Sequence, residues 1–209
     1  MKTLGLLVVT LGMASIVAPS AFGQGLLTNK SVQKEMKVND EQLKKIDALT
    51  RVLSKQRTIE VSKLQRMPVT PQERRAKLRD LTWEIHDAEV KIMSDFLKPE
   101  QVKRFEQITV QHAGLFAFST PPVQRRLKLT EQQLTKVTII RDEASQRDGS
   151  RTELLEKSVK DPEAKKKTAE VEKQTMEKIV ALMSDEQKAT WKDLTGEPFE
   201  VIDPPSALQ

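Results

Sequence analysis

Apolar side chains recur along most of this chain at steps of three and four, the period of an amphipathic helix. Between Asn39 and Arg66 the set is Leu43, Ile46, Leu49, Val52, Leu53, Val61 and Leu64, which predicts a helix of several turns. Met67-Pro68-Val69-Thr70-Pro71 stops it and starts the next. The second helix is expected from Pro71 to about Phe96. Leu78, Leu81, Ile85, Ala88, Ile92 and Phe96 line one face, and Trp83, Val90 and Met93 widen it. Val102, Phe105 and Ile108 open a third, shorter helix that should stop at Gly114. Leu115 to Pro122 reads as an apolar connector; Leu115, Phe116 and Phe118 would be costly to leave in water and are expected to be buried at the join between two halves.

The plan then repeats. Leu134, Val137, Ile140 and Ala144 open a long helix, interrupted or kinked at Asp148-Gly149-Ser150, and Leu154, Leu155 and Val159 resume it before Asp161-Pro162. Val171, Met176, Ile179, Val180 and Met183 mark a returning helix, and Trp191 and Leu194 a last one, closed by Thr195-Gly196-Glu197-Pro198. In the remaining tail, Phe199, Val201 and Ile202 should lie extended over the bundle, with the final residues loose. The expected fold is all-α, built of elongated helical hairpins. Residues 24–114 and 115–196 form two repeated halves, each a long hairpin plus a short helix, followed by a proline-containing tail at 197–209.

One short pattern opens four of these helices. It reads Val38-Asn39-Asp40-Glu41-Gln42-Leu43, Leu97-Lys98-Pro99-Glu100-Gln101-Val102, Leu129-Thr130-Glu131-Gln132-Gln133-Leu134 and Met183-Ser184-Asp185-Glu186-Gln187-Lys188. Asn39, Thr130 and Ser184 are suited to accept a backbone N–H as N-caps, while Gln42, Gln101, Gln133 and Gln187 can reach back to the cap's own N–H. The apolar residue before each cap can pack on the residue five positions later as a hydrophobic staple, and acidic residues favour the positive end of the helix dipole. Lys98 cannot accept a bond, although Pro99 suits the first helical position. Lys188 offers the staple only its methylene stem.

The spacing of the pattern adds a second inference. Ser31-Val32-Gln33-Lys34-Glu35-Met36-Lys37-Val38 aligns without a gap on Pro122 to Leu129, 91 positions on, through Ile46/Val137. Gln101 aligns with Gln187, and Phe105 with Trp191, 86 positions on. The chain reads as two related halves, each opened by one motif and closed by another.

Met1-Lys2, the apolar run Leu4 to Val17 and the small residues up to Gly23 have the form of a secretory signal cleaved after Gly23. That run is short of the roughly 20 residues a membrane span needs. There is no Cys, so an exported chain of this kind folds by packing alone. Aromatics at 4%, no Tyr and charged residues at 31% suit solvated helices better than a sheet or an enclosed pocket. Net charge is +5, and one less without Lys2, enough for weak attraction to acidic partners or a membrane surface.

Candidate chemistry is sparse. His86 and His112 are the only histidines, neither with a second His or Cys at ligand spacing, so no metal site, cofactor or catalytic residue is expected. His86 is assigned to a helix surface and His112 to a frayed helix end. No G-x-S-x-G, Walker loop, GxGxxG or H-E-x-x-H occurs, and the carboxylates lie beside Lys or Arg as on solvated faces. The chain does not read as an enzyme. Arg74-Arg75-Ala76-Lys77, Arg125-Arg126 and Lys165-Lys166-Lys167 are diluted by acids, which argues for solvated faces over nucleic-acid binding; were they to converge in space, an acidic peptide or an anionic lipid would be the expected partner.

Four L-T-x-x-Q-like motifs behind a signal peptide resemble the Spy/CpxP family of periplasmic proteins. The resemblance is carried by Asn39/Gln42, Lys98/Gln101, Thr130/Gln133 and Ser184/Gln187, of which Leu129-Thr130-x-x-Gln133 matches to the letter. That family carries two motifs per chain, is all-helical, dimerises into a curved cradle, and acts as ATP-independent chaperones or envelope-stress modulators. The resemblance therefore implies a periplasmic protein binding unfolded or envelope polypeptides. With four motifs the chain looks like two protomers written as one, a monomeric pseudo-dimer. The histidine-rich ends of metal-sensing relatives are missing, and the tail after Gly196 has no counterpart. A second reading stands beside the chaperone: a non-catalytic helical bundle docking on an envelope partner.

Overall fold

In the computed structural model, residues 24–148 and 161–202 are described. The expected leader, the break at Gly149-Ser150, the stripe residues Leu154, Leu155 and Val159, and the end of the tail lie outside them. The described chain is all-α, without a strand among these residues. Its helices are α1 (Gln24–Thr28), α2 (Lys30–Glu35), α3 (Asp40–Arg66), α4 (Pro71–Met93), α5 (Pro99–Ala113), α6 (Pro121–Leu127), α7 (Glu131–Asp148), α8 (Pro162–Ala181) and α9 (Asp185–Thr195), with a 3-10 helix at Gly114–Ser119. Helices α3 and α4 pack as one hairpin, α7 and α8 as another, and α5 packs on α9 between them.

Local chemistry explains the boundaries. Thr70 caps α4 by accepting the Glu73 N–H at 3.2 Å, the Glu73 carboxylate accepts the Thr70 N–H at 2.8 Å, and Pro71 opens the helix. Asp161 caps α8 by accepting the Glu163 N–H at 2.9 Å. The short helices α1, α2 and α6 precede the capping motifs where the pattern predicted none. Asn29 nucleates α2 by accepting the Ser31 N–H at 2.8 Å, and α6 starts on Pro121. Both α2 and α6 run out into a lysine with left-handed backbone, Lys37 (φ 52°) and Lys128 (φ 50°). That conformation costs an L-residue steric energy, so something must hold it.

Buried side chains gather into two clusters. The first joins Ile46, Leu49 and Leu53 of α3, Ile85 and Met93 of α4, and Phe105 and Ile108 of α5, with Leu27, Val32 and Met36 beneath and Phe199 and Val201 packed against it. The second joins Ala117, Phe118, Val123, Leu127, Val137, Ile179, Met183 and Leu194, with Trp191 and Leu115 partly buried on it. Phe118 stacks on Trp191 at 4.5 Å between ring centroids.

Several expectations are corrected. The buried face of α4 runs through Trp83, Ile85, His86, Glu89 and Met93, whereas Ile92 is 41% exposed. Val52, assigned to the stripe of α3, is 63% exposed. The connector is a 3-10 helix in which Phe118 is fully buried but Leu115 and Phe116 only partly. Ile202 is exposed rather than laid on the bundle; its backbone is what docks, its C=O accepting from Asn29 Nδ2 at 2.9 Å and its N–H donating to Ser31 Oγ at 3.1 Å.

Candidate functional site

The four motif glutamines meet in pairs. Asn39 Oδ1 accepts the Gln42 N–H at 2.9 Å, and Gln42 Oε1 accepts the Asn39 N–H at 3.0 Å. Thr130 with Gln133 and Ser184 with Gln187 close the same reciprocal box, each hydroxyl accepting at 3.2 Å. At Lys98 only half of it forms: the Lys98 N–H donates to Gln101 Oε1 at 2.9 Å, and the ammonium side chain has no lone pair to offer.

Each carboxamide then turns its NH2 group outward to a partner motif. Gln42 Nε2 donates to Gln101 Oε1 at 2.9 Å and Gln101 Nε2 returns a bond to Gln42 Oε1 at 3.3 Å. Gln133 and Gln187 do the same at 2.8 and 3.0 Å. The remaining donors reach backbone at matching places. Gln42 reaches the Phe96 carbonyl, and Gln133 reaches that of Leu182. Gln101 reaches Met36 and Lys37; Gln187 reaches Leu127 and Lys128. These two clasps fasten the left-handed lysine turns and tie both ends of each hairpin to the helix that follows it. The first clasp is buried and the second half-buried.

Helix α5 also ends α9. The carbonyls of Asp193 and Thr195, left without helical partners at the end of α9, accept from Gln107 Nε2 (at 3.0 Å) and Gln111 Nε2. Gln111 Oε1 in turn accepts the Phe199 N–H at 2.8 Å, steering the tail onto the first cluster. The Asp193 carboxylate bridges Lys103 at 2.7 Å and Arg126 at 3.3 Å. Its hydrogen bond to Lys103, and more weakly the charge of Arg126, hold that carboxyl below the ordinary aspartate range.

Two features escaped the sequence reading. His86 and Glu89 are buried rather than on the surface, 7% and 1% exposed, with His86 Nδ1 at 3.6 Å from Glu89 Oε2. Neither carboxylate oxygen makes a hydrogen bond among the described residues, and Trp83 meets the His86 ring edge-on at 5.5 Å. Helical spacing through His86, Glu89 and Met93 was the available signal. The second feature is an open groove of about 710 Å³ walled by α3 and α4 on one side and by the 3-10 helix and α7 on the other. His112 sits exposed in the last turn of α5. Among the described residues no group of three or more His, Cys, Asp or Glu could hold a metal ion, and no helix is long and apolar enough to cross a membrane. Comparison with family models, curated proteins and solved structures returns no match.

Proposed function

We propose that this is an exported, non-catalytic helical protein that binds polypeptide segments as an ATP-independent chaperone or envelope-stress modulator. What supports the reading most is that the four motifs act as one kind of device: two equivalent glutamine clasps, each fixing the base of a helical hairpin. On the first hairpin Val52 and Ile59, seven positions apart and therefore on one side of α3, are 63% and 46% exposed. Met67 at its tip is exposed as well, and the basic residues Arg51 and Lys55 lie among them. Such a surface gives an extended client weak apolar contact and a basic rim.

The clasps also support reading the chain as two related units about a pseudo-twofold axis. Helices α5 and α9, equivalent by the 86-residue offset, pack on each other, and Gln107 bonds Asp193, its own counterpart. The segment leaving α5 enters the second cluster through Phe118, while the segment leaving α9 enters the first through Phe199.

Light scattering of a thermally unfolding client tests the functional reading. The purified chain should suppress aggregation without ATP, and Val52→Ser with Ile59→Ser should weaken that suppression several-fold while leaving helicity intact. Absence of suppression overturns the chaperone reading and favours the bundle that docks on one envelope partner.

A further inference from the structure

The groove between the first hairpin and α7 has a lining unlike the rest of the surface. Its floor is apolar, from Val61, Leu78, Leu81, Trp83 and Phe116, and four arginines border it: Arg57 from α3, Arg75 and Arg79 from α4, and Arg141 from α7. Among the described residues no carboxylate lines it. Elsewhere lysines pair with acids a turn away, as Lys45 does with Glu41 and Lys63 with Glu60. Here, Arg79 has only its exposed neighbour Asp80 at 3.4 Å, and Arg57 and Arg75 are bound by no carboxylate among the described residues. Arg141 lies 4.9 Å from the centre of the Phe116 ring, so one cation is already braced over an aromatic wall. Arg57 is half-buried, and loss of water lowers its pKa. A guanidinium remains charged under such conditions, and partial desolvation strengthens its attraction for an anion.

We propose that this groove binds a single-chain anionic amphiphile, its hydrocarbon tail laid on the Trp83–Phe116 floor and its carboxylate or phosphate head forked by Arg75 and Arg79, with Arg57 beside them. Charge complementarity requires an anionic occupant, and the floor requires an apolar body. Size selects a small ligand over a polypeptide. The volume lies within the range of roughly 300–1,000 Å³ that encloses one small molecule. Thirteen residues line the groove, against roughly 20–30 on each side of an ordinary protein interface. The guanidinium fork matches carboxylate and phosphate alike. This assignment goes beyond the client-binding reading and does not depend on it.

Trp83 lines the groove and Trp191 does not, so the full chain carrying Trp191→Phe reports binding through Trp83 emission. Dodecanoate and dodecyl phosphate, both below their micelle concentrations, are titrated against dodecanol and dodecyltrimethylammonium. The expected result is saturable binding of both anions at one site per chain, at least tenfold tighter than either control. Arg75→Gln with Arg79→Gln should weaken the anions at least tenfold, with helicity unchanged by circular dichroism; Arg57→Gln alone should weaken them less. No saturable response, equal binding of all four probes, or binding confined to an acidic amphipathic peptide each overturns the proposal. Client aggregation enters none of these readouts, so the two readings fail separately.

Discussion

Replacing Gln101 with leucine keeps the volume of the side chain and removes every hydrogen bond that the Gln101 carboxamide brings to the first clasp. The change strips the Lys98 N–H of its 2.9 Å acceptor, the Met36 carbonyl of its 3.0 Å donor, and the Gln42 carboxamide of both its bonds to Gln101. Gln101 is 7% exposed, so water does not readily take over. The Lys37 carbonyl also loses its 3.2 Å donor, but Lys37 is exposed and water can replace it; the other three stripped groups at about 1 kcal/mol each give a loss of about 3 kcal/mol. Gln187→Leu breaks the equivalent bonds in the half-buried second clasp, where solvent compensates, and should cost about 1–2 kcal/mol. The double change Gln42→Leu with Gln101→Leu should cost less than the sum of the singles, because neither partner is then left alone. Urea unfolding followed by far-ultraviolet circular dichroism measures all of these as shifts in midpoint. A Gln101→Leu effect within about 0.5 kcal/mol of zero would refute the clasp as a stabilising device, and a Gln187→Leu effect at least as large as that of Gln101→Leu would refute burial as what sets its strength.

Thr130→Ala removes an N-cap acceptor and should cost about 0.5–2 kcal/mol, whereas Lys98→Ala, whose side chain caps nothing, should cost much less; equal losses in urea melts would contradict the assignment. Gly196 has φ 61° and an added Cβ there would overlap the Gln107 carboxamide, while Gly114 at φ 54° has open space. Gly196→Ala should therefore destabilise more than Gly114→Ala, and truncating Gln107 to alanine should shrink the difference. The Asp193 carboxyl, held below its ordinary value by Lys103 and Arg126, contributes stability that is complete above the unfolded-state pKa. That contribution fades as pH falls through the lowered folded-state value, so Asp193→Asn should flatten the acid limb of the stability profile, and salt should mimic it. If the two halves pack as a fused pair, multi-angle light scattering should give a monomer; a tight dimer would argue against the pseudo-twofold reading.

The parts of this structure governed by neighbouring residues were legible in the sequence. Helix starts at Asp40, Pro99, Glu131 and Asp185 follow from the residue just before each and the glutamine three positions after that residue, and the stops at Arg66 and Gly114 from a proline-containing turn and a glycine. Which motif meets which was not legible, because Gln42 and Gln101 are separated by the whole first hairpin and their joining depends on its register. The inward face of α4 was misjudged for a related reason. Apolar periodicity assigns polar residues to solvent, yet Glu89 and His86 fall on the buried line and Ile92 falls off it. The groove was invisible as well, since its arginines come from three helices and only packing brings them round one floor.

The most direct measurement of the central claim is site-specific photocrosslinking of an unfolding client to the purified chain. Probes placed at Val52 and Ile59 on the open side of the first hairpin, and at Glu186 on α9, would map where client is held. The account predicts strong client adducts at Val52 and Ile59, competed by a second unfolded protein, and little at Glu186. Uniform labelling at all three positions, or none on the hairpin, would contradict it.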